Sequence, residues 1–137
     1  MIVEHVSRMN ARLISRIFLA LFFIIAGANH FRSPETYLAM MPPWLPAPNL
    51  LNFISGAAEI AGGIGILIPK TRRAAAIGLV LLLIVIFPAN IHVAIHGWEG
   101  MDIPRWALIA RLPFQLLMIA WVVFSARDRI EPAESRL

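Results

Sequence analysis

RRAAAIGLVLLLIVIFPANIHVAI, residues 72–95, decides the fold. Two arginines are followed by a run from Ala74 to Ile95 that holds no Asp, Glu, Lys or Arg. A helix needs about 20 mainly apolar residues to cross a hydrocarbon core of about 30 Å. This run satisfies that requirement and is too long for a buried strand. Working outward, three more apolar blocks of similar length appear, at about 13–30, 50–68 and 106–124. Only Pro69-Lys70-Thr71-Arg72-Arg73 separates the second from the third, so the two form an antiparallel hairpin. The expected fold is all-α: an integral membrane, antiparallel four-helix bundle forming a single domain over residues 1–137.

The chain is 59% hydrophobic and 15% charged, with a mean hydropathy of +0.74. Soluble domains carry about a quarter charged residues. The net charge of +4 does not point to nucleic acid, because the arginines flank apolar blocks. That placement suits anionic lipid headgroups and topology signals. With no cysteine in the chain, disulfides and thiol redox chemistry by this chain alone are excluded.

Orientation follows from the basic residues. Arg8, Arg12, Arg16, Lys70, Arg72, Arg73, Arg127, Arg129 and Arg136 fall on one side; Arg32 and Arg105 fall on the other. Both termini are therefore expected in the cytoplasm, in the cell membrane (the inner membrane for a bacterial source). Arg8, Arg12 and Arg16 ahead of an apolar run ending in Ala26-Gly27-Ala28 have the outline of a signal peptide. The long basic region favours a retained span instead.

The first external loop carries a helix start, Ser33-Pro34-Glu35, and a short interfacial helix is expected over about 34–41. Pro42-Pro43-Trp44-Leu45-Pro46-Ala47-Pro48 then imposes a helix-free path. Tyr37, Trp44, Trp98 and Trp106 fall at this boundary, where amphipathic rings are favoured. On the second span Ala57, Ala61 and Gly65 recur every four residues, as do Ala58 and Gly62. Small residues at this spacing allow close helix approach, inside the bundle or across a homodimer face.

Polar residues at membrane depth are the functional signal. Glu59 lies about 14 Å from the outer boundary, counting 1.5 Å per residue. Arg111 and Gln115 share a face of the fourth span; Asn90, His92 and His96 lie in the outer half of the third; Asn29 and His30 close the first. The inner half of each span is nearly apolar. A charge at this depth costs at least about 2.5–3.5 kcal/mol, so such groups face inward and pair. Glu59 and Arg111 are the expected pair. His30, Glu59, Asn90, Arg111 and Gln115 are the candidate ligand-binding residues, with Asn52, His92 and His96 as secondary candidates. The i, i+4 spacing of His92 and His96 can hold a metal. No cysteine or second clustered acid supports one, and no metal is assigned.

The chain resembles the DoxX family of small four-helix membrane proteins over about residues 14–125. The matching pieces are Ala26-Gly27-Ala28-Asn29-His30-Phe31, the stretch from Tyr37 to Pro46, the stretch from Ser55 to Gly63, Phe87-Pro88-Ala89-Asn90-Ile91, and Arg111-Leu112-Pro113-Phe114-Gln115. The resemblance implies a four-helix bundle and marks His30, Glu59, Asn90, Arg111 and Gln115 as motif positions. It further implies association with quinone-linked oxidation, oxidative-stress complexes or maturation of partner proteins.

Two functions follow. One is a redox-associated component binding quinone, or another small apolar molecule, in an outer polar pocket and working with a partner redox subunit. Quinone is then the candidate cofactor, since the chain shows neither a cysteine-bound cluster nor a nucleotide fingerprint. The other is a non-enzymatic assembly factor or interaction protein whose polar cluster is structural. Whether the chain is an enzyme is left open by its sequence.

Overall fold

The computed structural model describes residues 1–128, so most of the polar tail after Arg127 lies outside the described residues. Among these residues the chain forms five helices and no strand: α1 (Ile2–Arg32), α2 (Pro34–Leu38), α3 (Pro48–Leu67), α4 (Arg72–His96) and α5 (Arg105–Ala126). Four of them are long and apolar enough to span a membrane. The expected spans at 13–30, 50–68, 74–95 and 106–124 all exist as helices; α1, α4 and α5 run past their apolar blocks at both ends, and α3 starts two residues early and ends one short. The largest extension is in α1, whose 31 residues reach about 46 Å at 1.5 Å per residue. The basic lead-in is the same helix continued, because nothing before Leu13 breaks it. The interfacial helix expected over 34–41 closes at Leu38 and passes into turns ahead of Pro42 and Pro43.

The four long helices form a closed ring in which α1 packs on α3, α3 on α4, α4 on α5 and α5 back on α1. Neighbours are antiparallel. Gly56 of α3 meets Gly27 of α1, whereas Gly63 meets Ala20. Leu83 and Asn90 of α4 bond Gln115 of α5, and Ser15 of α1 bonds Ser125 of α5. One end of the ring carries α2 and the 97–104 loop; the other carries both ends of the described chain and the 68–71 link.

The glycines of α3 serve packing within the chain, whereas Ala57 and Ala61 are exposed. A Cβ on Gly62 would lie 2.5 Å from Leu79, and one on Gly65 would lie 2.8 Å from Ala75. Leu19, Ala20, Phe23, Ile66, Ala76, Leu79, Leu83, Met118 and Val122 make the apolar core. Around it Phe18, Leu21, Ile25, Ile64, Ile77, Leu81, Val85, Leu116 and Leu117 are exposed. A belt of this kind, without lipid, far exceeds the apolar patches soluble proteins show. The chain is a membrane protein.

The half opposite α2 is less apolar than its sequence suggests. Ser15, Ser125 and Trp121 share hydrogen bonds of 2.8 Å. At the rim, Arg16 and Arg72 both reach Asp128, at 3.1 and 2.8 Å.

Candidate functional site

The polar residues converge because of where each helix ends. α1 closes at Arg32, so His30 sits in its last turn, beside the first turns of α3. There Asn52 Nδ2 donates to the His30 carbonyl at 3.0 Å, and Asn52 Oδ1 lies 2.7 Å from His30 Nδ1. One α3 face carries Asn52 and, seven residues on, Glu59. Its Oε2 lies 3.3 Å from His30 Nε2. That contact is not aligned as a hydrogen bond, and Glu59 Oε2 is buried without a hydrogen-bond partner. Tyr37, from α2, stacks on the His30 ring with centroids 3.7 Å apart and accepts a bond from Asn29 at 3.0 Å.

The opposite wall comes from α4 and α5. Asn90 Nδ2 donates to Gln115 Oε1 at 2.5 Å. Gln115 Nε2 donates in turn to the Leu83 carbonyl. Arg111 donates from Nε and Nη2 to Asn90 Oδ1, at 3.3 and 3.2 Å. Its guanidinium lies 4.9 Å from the ring centroid of Trp98, a cation–π contact. Prolines sit inside both helices, Pro88 in α4 and Pro113 in α5. Each removes a backbone donor and with it one i→i−4 bond.

The expected Glu59–Arg111 ion pair is not formed. α3 and α5 are not neighbours in the ring; α4 stands beside both. Asn90 of α4 takes the guanidinium before it can cross, and Glu59 turns to His30 of its other neighbour, α1. Both residues nevertheless line one cavity of about 230 Å³. Toward α2 it is lined by His30, Tyr37, Glu59, Asn90, Arg111 and Gln115, with Met40 and Phe114 among them, and its other end is apolar, from Phe22, Phe23, Leu83, Ile86 and Met118. All five principal sequence candidates are there, and four of them, His30, Glu59, Asn90 and Gln115, are no more than 7% exposed. The secondary candidate Asn52 stands behind His30 and orients it.

His92 and His96 are not part of this site. Their rings stack 4.4 Å apart and line a separate groove with Pro42, Trp44, Pro88, Ile91 and Ile95. Two positions separate Asn90 from His92, turning them about 200° apart on a helix, so the inward Asn90 leaves His92 outward. Among the described residues no three His, Asp or Glu side chains come together as metal ligands.

Sequence reasoning missed Tyr37 and Trp98, which it assigned to the membrane boundary as aromatic anchors. Tyr37 lines the cavity and stacks on His30, and Trp98 packs behind it on Arg111, with its Nε1 donating to the Thr36 carbonyl at 2.9 Å. Only the docking of α2 against the bundle brings them in, and no local pattern encodes that.

Fold and site define the class: a helical membrane bundle enclosing a cavity with one polar and one apolar end. The chain belongs to the family described as Domain of unknown function (DUF8561), whose model matches residues 19–126. This overturns the resemblance to the DoxX family. The five pieces that carried it are short and made mostly of small and apolar residues. No curated protein and no solved structure matches the chain.

Proposed function

We propose that the chain is a membrane-embedded binding protein, redox-associated, that takes a quinone or another small amphipathic molecule in the polar-ended cavity. The carrying observation is the cavity itself. Polar groups from α1, α2, α3, α4 and α5 converge on one space whose other end is apolar. Sites for small molecules have this composition, an apolar lining with a few convergent polar groups. A quinone ring would place its carbonyl oxygens toward donors such as Arg111 and its tail along Phe22, Phe114 and Met118.

The orientation that fits has both termini in the cytoplasm and the cavity's polar end in the outer half of the membrane. The gathering of Arg12, Arg16, Arg72 and Arg127 at the terminal end supports it.

The test is to purify the protein in mild detergent, extract it, and identify any bound molecule by absorption and mass spectrometry. Ala26→Leu fills part of the cavity without removing a hydrogen bond, because Ala26 lines it. Ligand should co-purify with the wild type and fall sharply in this variant. A preparation without ligand, and an Ala26→Leu protein that is simply more stable, would favour a non-enzymatic assembly factor. One observation supports that second reading: His30 with Asn52, and Asn90 with Gln115, tie neighbouring helices together.

A further inference from the structure

Hydrogen bonding at the cavity's polar end sets the charge of its ligand. The Asn52 amide has only one sensible orientation. Its NH₂ donates to the His30 carbonyl, so its oxygen faces His30 Nδ1 at 2.7 Å. An oxygen there requires a proton on Nδ1. In the neutral ring Nε2 then has a lone pair, and it lies 3.3 Å from Glu59 Oε2, within ion-pair distance although off the line of a hydrogen bond. An ionised Glu59 against a neutral His30 would set two lone pairs together in a buried site. A protonated Glu59 against a protonated His30 would set two hydrogens together. The arrangement that suits both atoms has one proton between them, held on Nε2 or on Oε2. In either form the pair is neutral.

Glu59 is thereby spent on His30 and offers no counter-charge to Arg111. Among the described residues Arg111 has no ion pair. Its nearest partners are the neutral Asn90 amide and the Trp98 ring. Its Nη1 is engaged by neither bond to Asn90. The charged or titratable groups lining the cavity are His30, Tyr37, Glu59 and Arg111. With the first three neutral, the cavity carries one uncompensated positive charge at its polar end.

Resting on the binding reading above, and narrowing it away from a neutral quinone, we infer that the ligand is an amphiphile whose head is a singly ionised oxygen acid, a carboxylate or an acidic enol (a hydroxyquinone included), seated on Arg111 with its apolar part against Phe22, Phe114 and Met118. An ionised acceptor makes the stronger bond to guanidinium, and it supplies the missing charge. Tyr37, whose hydroxyl oxygen already accepts from Asn29, keeps its own proton to donate.

The experiment uses the full chain in lipid nanodiscs, titrated with octanoate, octanol and octylammonium, with empty nanodiscs subtracting partition into lipid. Octanoate should bind saturably and at least about tenfold more tightly than octanol, the difference a charge-assisted hydrogen bond makes. Octylammonium should be the weakest. Arg111→Gln should abolish the preference for octanoate, and Arg111→Lys, which keeps the charge, should retain most of it. Equal binding of octanoate and octanol, or a preference for octylammonium, overturns the charge inference and leaves the cavity a binding site. Saturable binding by none of the three overturns the binding reading as well.

Discussion

Gly27 is where α1 and α3 come closest, and replacing it with alanine tests how the bundle is held. A Cβ at Gly27 would stand 2.7 Å from the Gly56 carbonyl oxygen, 2.8 Å from Ile60 Cγ1 and 3.0 Å from Glu59 Cβ. The first of these is backbone, which cannot rotate away, so the two helices must separate. Overpacking of this kind costs about 1–3 kcal/mol. The upper half of that range is expected here, because the same shift pulls Glu59 from His30. Gly78 is the control: a Cβ there meets nothing within 4 Å, and alanine is the better helix former. Gly27→Ala and Gly78→Ala are compared by reversible unfolding in mixed detergent micelles. Gly27→Ala should be less stable by about 2–3 kcal/mol, and Gly78→Ala equal to the wild type or more stable. If Gly27→Ala matched the wild type, or the two variants lost equal stability, close α1–α3 approach would not be what holds this half of the bundle.

Three further predictions can be checked with similar preparations. Since Glu59 and Arg111 share a cavity but form no ion pair, the stability losses of Glu59→Gln and Arg111→Gln should lie closer to additive in the double variant than those of a contacting pair. His30→Gln and Glu59→Gln, which touch, should depart from additivity by about 0.5–3 kcal/mol; the reverse pattern would contradict the proton-sharing arrangement. Impermeant thiol labelling suits a chain without native cysteine: in intact cells Trp44→Cys should react and Ser7→Cys should not, and the opposite result would invert the proposed topology. Asp128 is 65% exposed where it meets Arg16 and Arg72, so Asp128→Asn should cost under about 1 kcal/mol, less at high salt. A larger, salt-independent loss would show that those contacts are shielded from solvent.

Much of the site was legible as a set of residues and little of it as a set of contacts. His30, Glu59, Asn90, Arg111 and Gln115 stand out because a polar side chain in an apolar span must be explained, whatever it touches. Pairing is a different matter. Opposite charge and similar depth suggested Glu59 with Arg111, but depth says nothing about which helices are neighbours. The ring order places α4 beside both α3 and α5, so Asn90 holds the arginine and His30 faces the carboxylate. His92 and His96 were equally conspicuous by type and spacing. The face occupied by Asn90 leaves them outside.

Apolar run lengths, short polar links and the charges at their ends by themselves determined that this is a helical membrane protein with four long apolar helices, where those helices fall and which polar side chains interrupt them. Those properties are local: hydrocarbon thickness, helix rise and desolvation cost act on each segment alone. The tertiary structure alone decided that α1 continues unbroken through its basic lead-in, that the α3 glycines seat α1 and α4, and that α2 brings Tyr37 over His30. It also decided that Glu59 lies against His30 and that Arg111 has no ion pair among the described residues. These depend on which helix surfaces meet and on the close fit between them, and no segment carries that information until its neighbours are in place.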